Sequence, residues 1–179
     1  MTIRRFLPLL LLTLVSCADE IGDEYTRLHA FLRITPVTAL SPLHEALNNP
    51  GIHCTITYDA NNYIATRPNG TSAPLPRTAL EPYGRPMCIE GFLLGTPSVP
   101  NLKGQFYQTC FELACPTCYD QDAVQRRLSL RTDETVYCSR CHRTYSLRNS
   151  GIVTEGEKGS TLKRYRIASY ANDILIVSN

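Results

Sequence analysis

The sequence predicts an all-β domain, an antiparallel β-sandwich or barrel, with a smaller two-hairpin metal-binding subdomain. Three observations carry this. Helical periodicity is scarce, short β-leaning runs alternate with clusters of turn formers, and two C-x-x-C pairs lie in one stretch of chain. Many short strands at regular spacing, broken by Gly, Asn, Asp and Pro, are the pattern of a sandwich or barrel.

The β-leaning runs lie at 30–37, 52–59, 62–67, 87–95, 105–113, 126–131, 134–138, 143–147, 162–170 and 173–178. Between them stand Asp59-Ala60-Asn61-Asn62, Pro68-Asn69-Gly70, Asn149-Ser150-Gly151 and Ala171-Asn172-Asp173, all groups that favour turns. One short helix is expected in "SPLHEALNNPG", with Ser41 as cap, Pro42 in the first turn and Asn49-Pro50-Gly51 as the stop. Residues 67–86 carry five prolines and read as a surface excursion.

Cys115, Cys118, Cys138 and Cys141 form C-x2-C-x19-C-x2-C, a spacing in the metal-binding range. Two residues between cysteines let a tight turn aim both sulfurs at one point, with its amide N–H groups directed at the sulfurs. Two such turns on adjacent hairpins complete a tetrahedron of thiolates. Residues 126–138 fit the hairpin between them, with Thr132-Asp133-Glu134 at the bend. The spacing leaves the occupant open: four thiolates suit a structural zinc, and they suit iron or a [2Fe–2S] cluster. An oxidising compartment adds disulfides as a third reading. A thioredoxin-like pair would start a helix, and neither pair here is followed by a helical pattern. Arg126, Arg127, Arg131, Arg140 and Arg143 lie in or beside these segments and can offset thiolate charge. Beside the ligands, His142, Tyr145, Arg140 and Arg143 are the candidates for supporting contacts. His29, His44 and His53 are scattered and read as ordinary.

Cys54, Cys88 and Cys110 remain. Cys110 reads as a small core residue of a strand, and Cys54 with Cys88 is a candidate disulfide between early strands. No nucleophile elbow, phosphate-binding glycine loop or H-E-x-x-H occurs, so no residue nominates itself for catalysis and an enzyme is not expected.

The chain opens "MTIRRFLPLLLLTLVSCADE", a basic start, an apolar run and a small-residue site. That run is too short to cross a bilayer as a helix and reads as a signal segment. Leu14-Val15-Ser16-Cys17 resembles the bacterial lipobox. The resemblance implies a signal peptide over 1–16, lipidation of Cys17, a tether over 17–28 and, with Ala18 next, an outer-membrane lipoprotein facing the periplasm or the cell surface. The membrane is then a partner through the lipid, and the protein partner is left open. The whole chain has 18 Lys and Arg against 16 Asp and Glu; loss of Arg4 and Arg5 leaves both at 16. With no basic stripe, a nucleic-acid partner is not expected.

From "TCFELACPTC", "VYCSRCHRTYSL" and "TLKRYRIASYANDILIVS" the chain resembles Rieske-like domain lipoproteins of the Bacteroidetes type. The resemblance covers 29–179 and is strongest from 105 onward, with the metal-binding subdomain at about 110–150. It implies an antiparallel sandwich bearing a two-hairpin tip, here with cysteines that make the tip rubredoxin- or zinc-ribbon-like. Cys115 and Cys138 match the family's cysteines, Thr117 stands where its first histidine belongs, and Cys141 replaces its second. Tyr145 keeps the aromatic position; Leu162, Tyr165 and Ile167 match its late strand. Histidine ligands raise the potential of such centres by several hundred millivolts, so four cysteines remove the basis for quinol chemistry. Export in an unfolded state would not preserve a cluster assembled beforehand, whereas zinc can be acquired outside. Zinc therefore leads, with [2Fe–2S] or iron as the alternative.

Overall fold

The structure is a computed structural model that describes residues 25–77 and 84–179. The expected signal segment, the lipobox-like Cys17 and most of the expected tether lie outside the described residues. Among the described residues there are thirteen strands, two helices and one 3-10 turn. The strands are β1 (Phe31–Ile34), β2 (Ile52–Tyr58), β3 (Asn62–Thr66), β4 (Ser72–Pro76), β5 (Phe92–Thr96), β6 (Thr109–Glu112), β7 (Ser129–Leu130), β8 (Thr135–Tyr137), β9 (Thr144–Ser146), β10 (Ile152–Glu155), β11 (Arg164–Tyr165), β12 (Ile167–Ala171) and β13 (Ile174–Ser178). The helices are α1 (Ser41–Asn48) and α2 (Pro116–Asp122).

The strands form three antiparallel sheets. A six-stranded sheet has the order β11-β6-β5-β2-β3-β4, a three-stranded sheet β1-β13-β12, and a four-stranded sheet β10-β9-β8-β7. The first described strand thus pairs with the last, Phe31 opposite Ser178, and closes the domain.

β5 and β6 explain how one chain builds two cores. Every residue of both strands is buried. Because strand side chains alternate in direction, Phe92, Leu94 and Cys110 enter one core with Leu32, Ile34, Leu43, Leu47, Ile56, Tyr63, Leu175 and Val177. Leu93 and Phe111 face the other way, into a second core with Leu113, Leu128, Val136, Tyr145, Leu147 and Leu162. The two strands are a wall shared by the domain body and the smaller sheet, buried on both faces.

The expected helix is present but shifted at its start. Leu40, not Ser41, is the N-cap, no side chain caps it, and Pro42 lies in the first turn. Leu43, Ala46 and Leu47 form its buried stripe and seal the first core. The proline-rich stretch is a strand in part: β4 sits at the edge of the six-stranded sheet, where Pro74 and Pro76 cost no inward ladder bond. Residues 78–83 of that stretch lie outside the described residues. The run at 105–113 is a strand only in its second half, and β10 was not among the expected runs.

Candidate metal centre

β6 delivers the first cysteine pair. Beyond it Leu113 N–H donates to Gly91 O (3.0 Å) and Cys115 N–H to Arg126 O (2.7 Å), so the chain turns at a fixed point. Glu112, 1% exposed, holds that turn. Its carboxylate accepts hydrogen bonds from the N–H groups of Ile89 (2.8 Å), Glu90 (2.9 Å) and Ala114 (2.9 Å) and from the Tyr165 hydroxyl (2.6 Å). Four donors on one buried carboxylate offset its desolvation. Sequence reading missed this residue. Its signal is a lone acid between Phe111 and Leu113, just before the first cysteine pair.

Cys115 caps α2, with Pro116 in the first turn, so the first pair does open a short helix, contrary to expectation. A proline at its start and the cysteine pair Cys115/Cys118 hid the helical pattern in this short stretch. The second pair lies in a turn between β8 and β9, where Cys138 N–H donates to Arg143 O (3.0 Å) and His142 N–H to Cys138 O (2.9 Å). The hairpin between the pairs is as expected, with Ser129 opposite Tyr137 and Leu130 opposite Val136.

The two turns bring all four cysteines together: their sulfurs lie within 4.8 Å of one another. Cys115 Sγ is 3.6 Å from Cys141 Sγ, and Cys118 Sγ is 3.7 Å from Cys138 Sγ. A tetrahedron of sulfurs at 2.3 Å from one ion has an edge of about 3.8 Å. Cys115, Cys118 and Cys138 are buried and Cys141 is half-buried. No disulfide forms among the described residues. The donor set fits a thiophilic metal.

Backbone and side-chain donors surround the sulfurs. Cys118 N–H points at Cys115 Sγ, and the Arg143 N–H and guanidinium both point at Cys141 Sγ. Burial opposes ionisation of Cys141, yet Arg143 with the neighbouring thiols brings its pKa down to about 7. Cys115 and Cys118 are instead pushed up, first by burial and then by the neighbouring thiols. A cation at the centre would offset that penalty and favour the thiolate form of its ligands.

Among the supporting candidates, Tyr145 and Arg143 reach the ligands and His142 and Arg140 do not. The Tyr145 hydroxyl lies 3.3 Å from Cys115 Sγ and 3.0 Å from Thr117 Oγ1, all buried. Thr117 therefore orients the tyrosine instead of supplying a ligand. Arg143, 7% exposed, is clamped by the carbonyls of Glu157 (2.8 Å) and Lys158 (3.1 Å). Gly159 packs where any Cβ would overlap Thr117 Oγ1 and crowd Arg143 Nε. Nothing in the polar run "EGEKGS" signals this role. His142 turns away to bond Tyr137 (2.7 Å), and Arg140 pairs with Asp122 at the surface (3.0 Å). Arg126 binds Ser139, Arg127 pairs with Glu90, and Arg131 stacks on Tyr137.

The remaining cysteines lie apart from the centre. Cys54 and Cys110 are buried free thiols of the first core, and Cys88 is a free thiol 3.7 Å from the Tyr58 hydroxyl. The candidate Cys54–Cys88 disulfide is not formed in the structure. His53, read as ordinary, is buried with neither ring nitrogen hydrogen-bonded; burial outweighs the nearby Glu134 and lowers its pKa to about 4.

No helix among the described residues is long and apolar enough to cross a membrane. No protein-family model matches the chain and no curated protein matches it either, so the reading of this centre stands on its geometry and chemistry.

Proposed function

We propose that this chain is an envelope-anchored lipoprotein whose Rieske-like domain holds a structural zinc through Cys115, Cys118, Cys138 and Cys141. The observation that carries the metal is the convergence of four sulfurs within 4.8 Å of one another on two separate turns. The metal is zinc on this reading because the sulfurs surround a single point. A [2Fe–2S] cluster places each pair of thiolates on its own iron, and the two pairs must then stand apart by the width of the iron–sulfide core. All four sulfurs lie within 4.8 Å of one another, so the two pairs do not stand apart in this way, which favours one ion.

The order of elements supports the family reading. A strand (β6) enters the first cysteine turn, a hairpin (β7–β8) leads to the second, a late strand holds Tyr165, and a final hairpin (β12–β13) closes the body. Zinc bound here stabilises the junction between the small sheet and the second core, because three of its four ligands are members of that core. The anchor rests on the lipobox-like sequence at Cys17.

A single iron is the second reading that these sulfurs fit. Cys141, the half-buried ligand, would be its edge toward an electron partner. Metal analysis of protein purified from its envelope, together with its visible spectrum, separates the two. One zinc in a colourless protein supports the proposal, and iron with thiolate charge-transfer bands supports electron transfer.

A further inference from the structure

The end of the domain opposite the cysteine centre carries a surface that the metal does not explain. The β5–β6 connection, residues 97–108, holds three of the exposed large apolar side chains: Val99 (50%), Leu102 (108%) and Phe106 (52%). The loop is built to present them. Asn101 Oδ1 accepts the N–H groups of Lys103 (2.9 Å) and Gln105 (3.0 Å), while Asn101 N–H and O close the turn on Gln105 O (2.9 Å) and Gly104 N–H (2.8 Å). At its base Gln108 Nε2 donates to Leu47 O on α1 (3.0 Å). Leu102 therefore stands at the crest of an ordered turn, outside any core.

Next to this loop lies a ladder of aromatic and basic side chains. The Arg164 guanidinium sits 5.5 Å from the Tyr107 ring and 5.4 Å from the Tyr25 ring, and Arg166 sits 5.1 Å from Tyr25. Arg27 lines the same depression as Tyr25 and Arg166, and Lys103 stands in the loop next to Leu102. Among the described residues, no acidic side chain lines the two depressions beside Tyr25. Tyr25 is also where the described chain begins, with Thr26 N–H bonded to Arg164 O (2.8 Å). It follows Cys17 by eight residues, which span at most about 28 Å when extended.

We propose that this end is a bilayer-docking surface: Leu102 and Phe106 enter the interface of an anionic membrane while the exposed Lys103 and Arg166 meet its phosphates. Apolar side chains on a turn, with tyrosine and arginine behind them, match the layering of a membrane interface, where aromatic rings sit at headgroup level and basic side chains snorkel. The short distance to Cys17 keeps this end against the bilayer. The four-cysteine tip, at the other end of β6, then faces away from it. The orientation rests on the lipid-anchor reading; the surface itself does not.

The sequence contains no tryptophan, so a single substitution gives a clean probe. The full chain, expressed in a bacterial host with its N-terminal segment, is reconstituted into phosphatidylglycerol/phosphatidylethanolamine vesicles as Leu102→Trp or, at the cysteine tip, Asp122→Trp. Leu102→Trp emission is expected to shift to shorter wavelength and lose acrylamide quenching, while Asp122→Trp stays solvent-like. Adding Lys103→Glu and Arg166→Glu to Leu102→Trp is expected to lower the inserted fraction by about fivefold per charge. Solvent-like Leu102→Trp on anionic vesicles overturns the proposal. So does protection that requires a co-purified protein and not lipid. Intact mass read in parallel keeps the two readings apart. A lipidated chain with exposed Leu102→Trp overturns the surface alone, and an unlipidated chain whose Leu102→Trp inserts into added vesicles supports the surface while removing the anchor.

Discussion

Replacing Cys138 with serine, against the same exchange at Cys110, isolates what the metal contributes. Both side chains are fully buried and both changes put a hydroxyl where a sulfur was, so packing and desolvation costs are similar. Burying an unpartnered hydroxyl costs about 1–3 kcal/mol, which is the whole effect expected of Cys110→Ser. Cys138→Ser also removes one of four ligands. A tetrahedral zinc site supplies about 10–16 kcal/mol of apparent folding free energy in small zinc domains, or about 3 kcal/mol per ligand if shared evenly. Cys138→Ser is therefore expected to cost about 3 kcal/mol more than Cys110→Ser. Urea denaturation at neutral pH under reductant, followed by far-UV circular dichroism, reads this as a larger drop in midpoint. Chelator should lower the midpoint of the unsubstituted protein and of Cys110→Ser, but barely move Cys138→Ser. Equal losses in the two variants, or midpoints indifferent to chelator, would refute the reasoning.

Tyr145→Phe strips the hydroxyl that binds Cys115 Sγ and leaves Thr117 without its partner; zinc affinity is expected to fall about 10- to 100-fold, measured by competition with a chromophoric chelator. Glu112→Gln places an amide donor among four donors, and is expected to cost about 3 kcal/mol in urea denaturation. A loss under 1 kcal/mol would show that this carboxylate does not hold the turn before Cys115. Gly159→Ala should speed alkylation of Cys141, read by mass spectrometry, because its methyl displaces Arg143 and Thr117. His53 takes a proton at about 6.5 when unfolded and at about 4 when folded, so the unfolded state binds more protons between these values. Stability from this residue is intact above pH 6.5 and is lost as pH falls toward 4, by about 3 kcal/mol in all. His53→Leu should show a correspondingly smaller acid loss, in denaturation curves taken from pH 7 to 4.5.

The cysteine spacing was the most legible part of the sequence, because a metal site demands residue type and interval at once. The β elements were legible where turn formers bound them, as at Asp59–Asn62 and Ala171–Asp173. α2 was not, since proline and two cysteines mask a helical pattern in seven residues. The double use of β5 and β6 was hidden as well: an apolar run states that both faces are buried, not which core each face enters. Arg143 was legible as a supporting candidate alongside Arg140, and only three-dimensional packing against Glu157, Lys158 and Gly159 separates it from Arg140 and the other arginines. Glu112 was readable as an acid in an apolar strand. Its four donors come from three parts of the chain, which no local pattern reveals.

The most direct test is the metal content of the purified protein, by inductively coupled plasma mass spectrometry with sulfide assay and visible absorption. One zinc per chain, no acid-labile sulfide and no visible band are predicted, with the zinc lost from Cys138→Ser and kept in Cys110→Ser. Two irons with sulfide, or a folded protein holding no metal at all, would contradict the account.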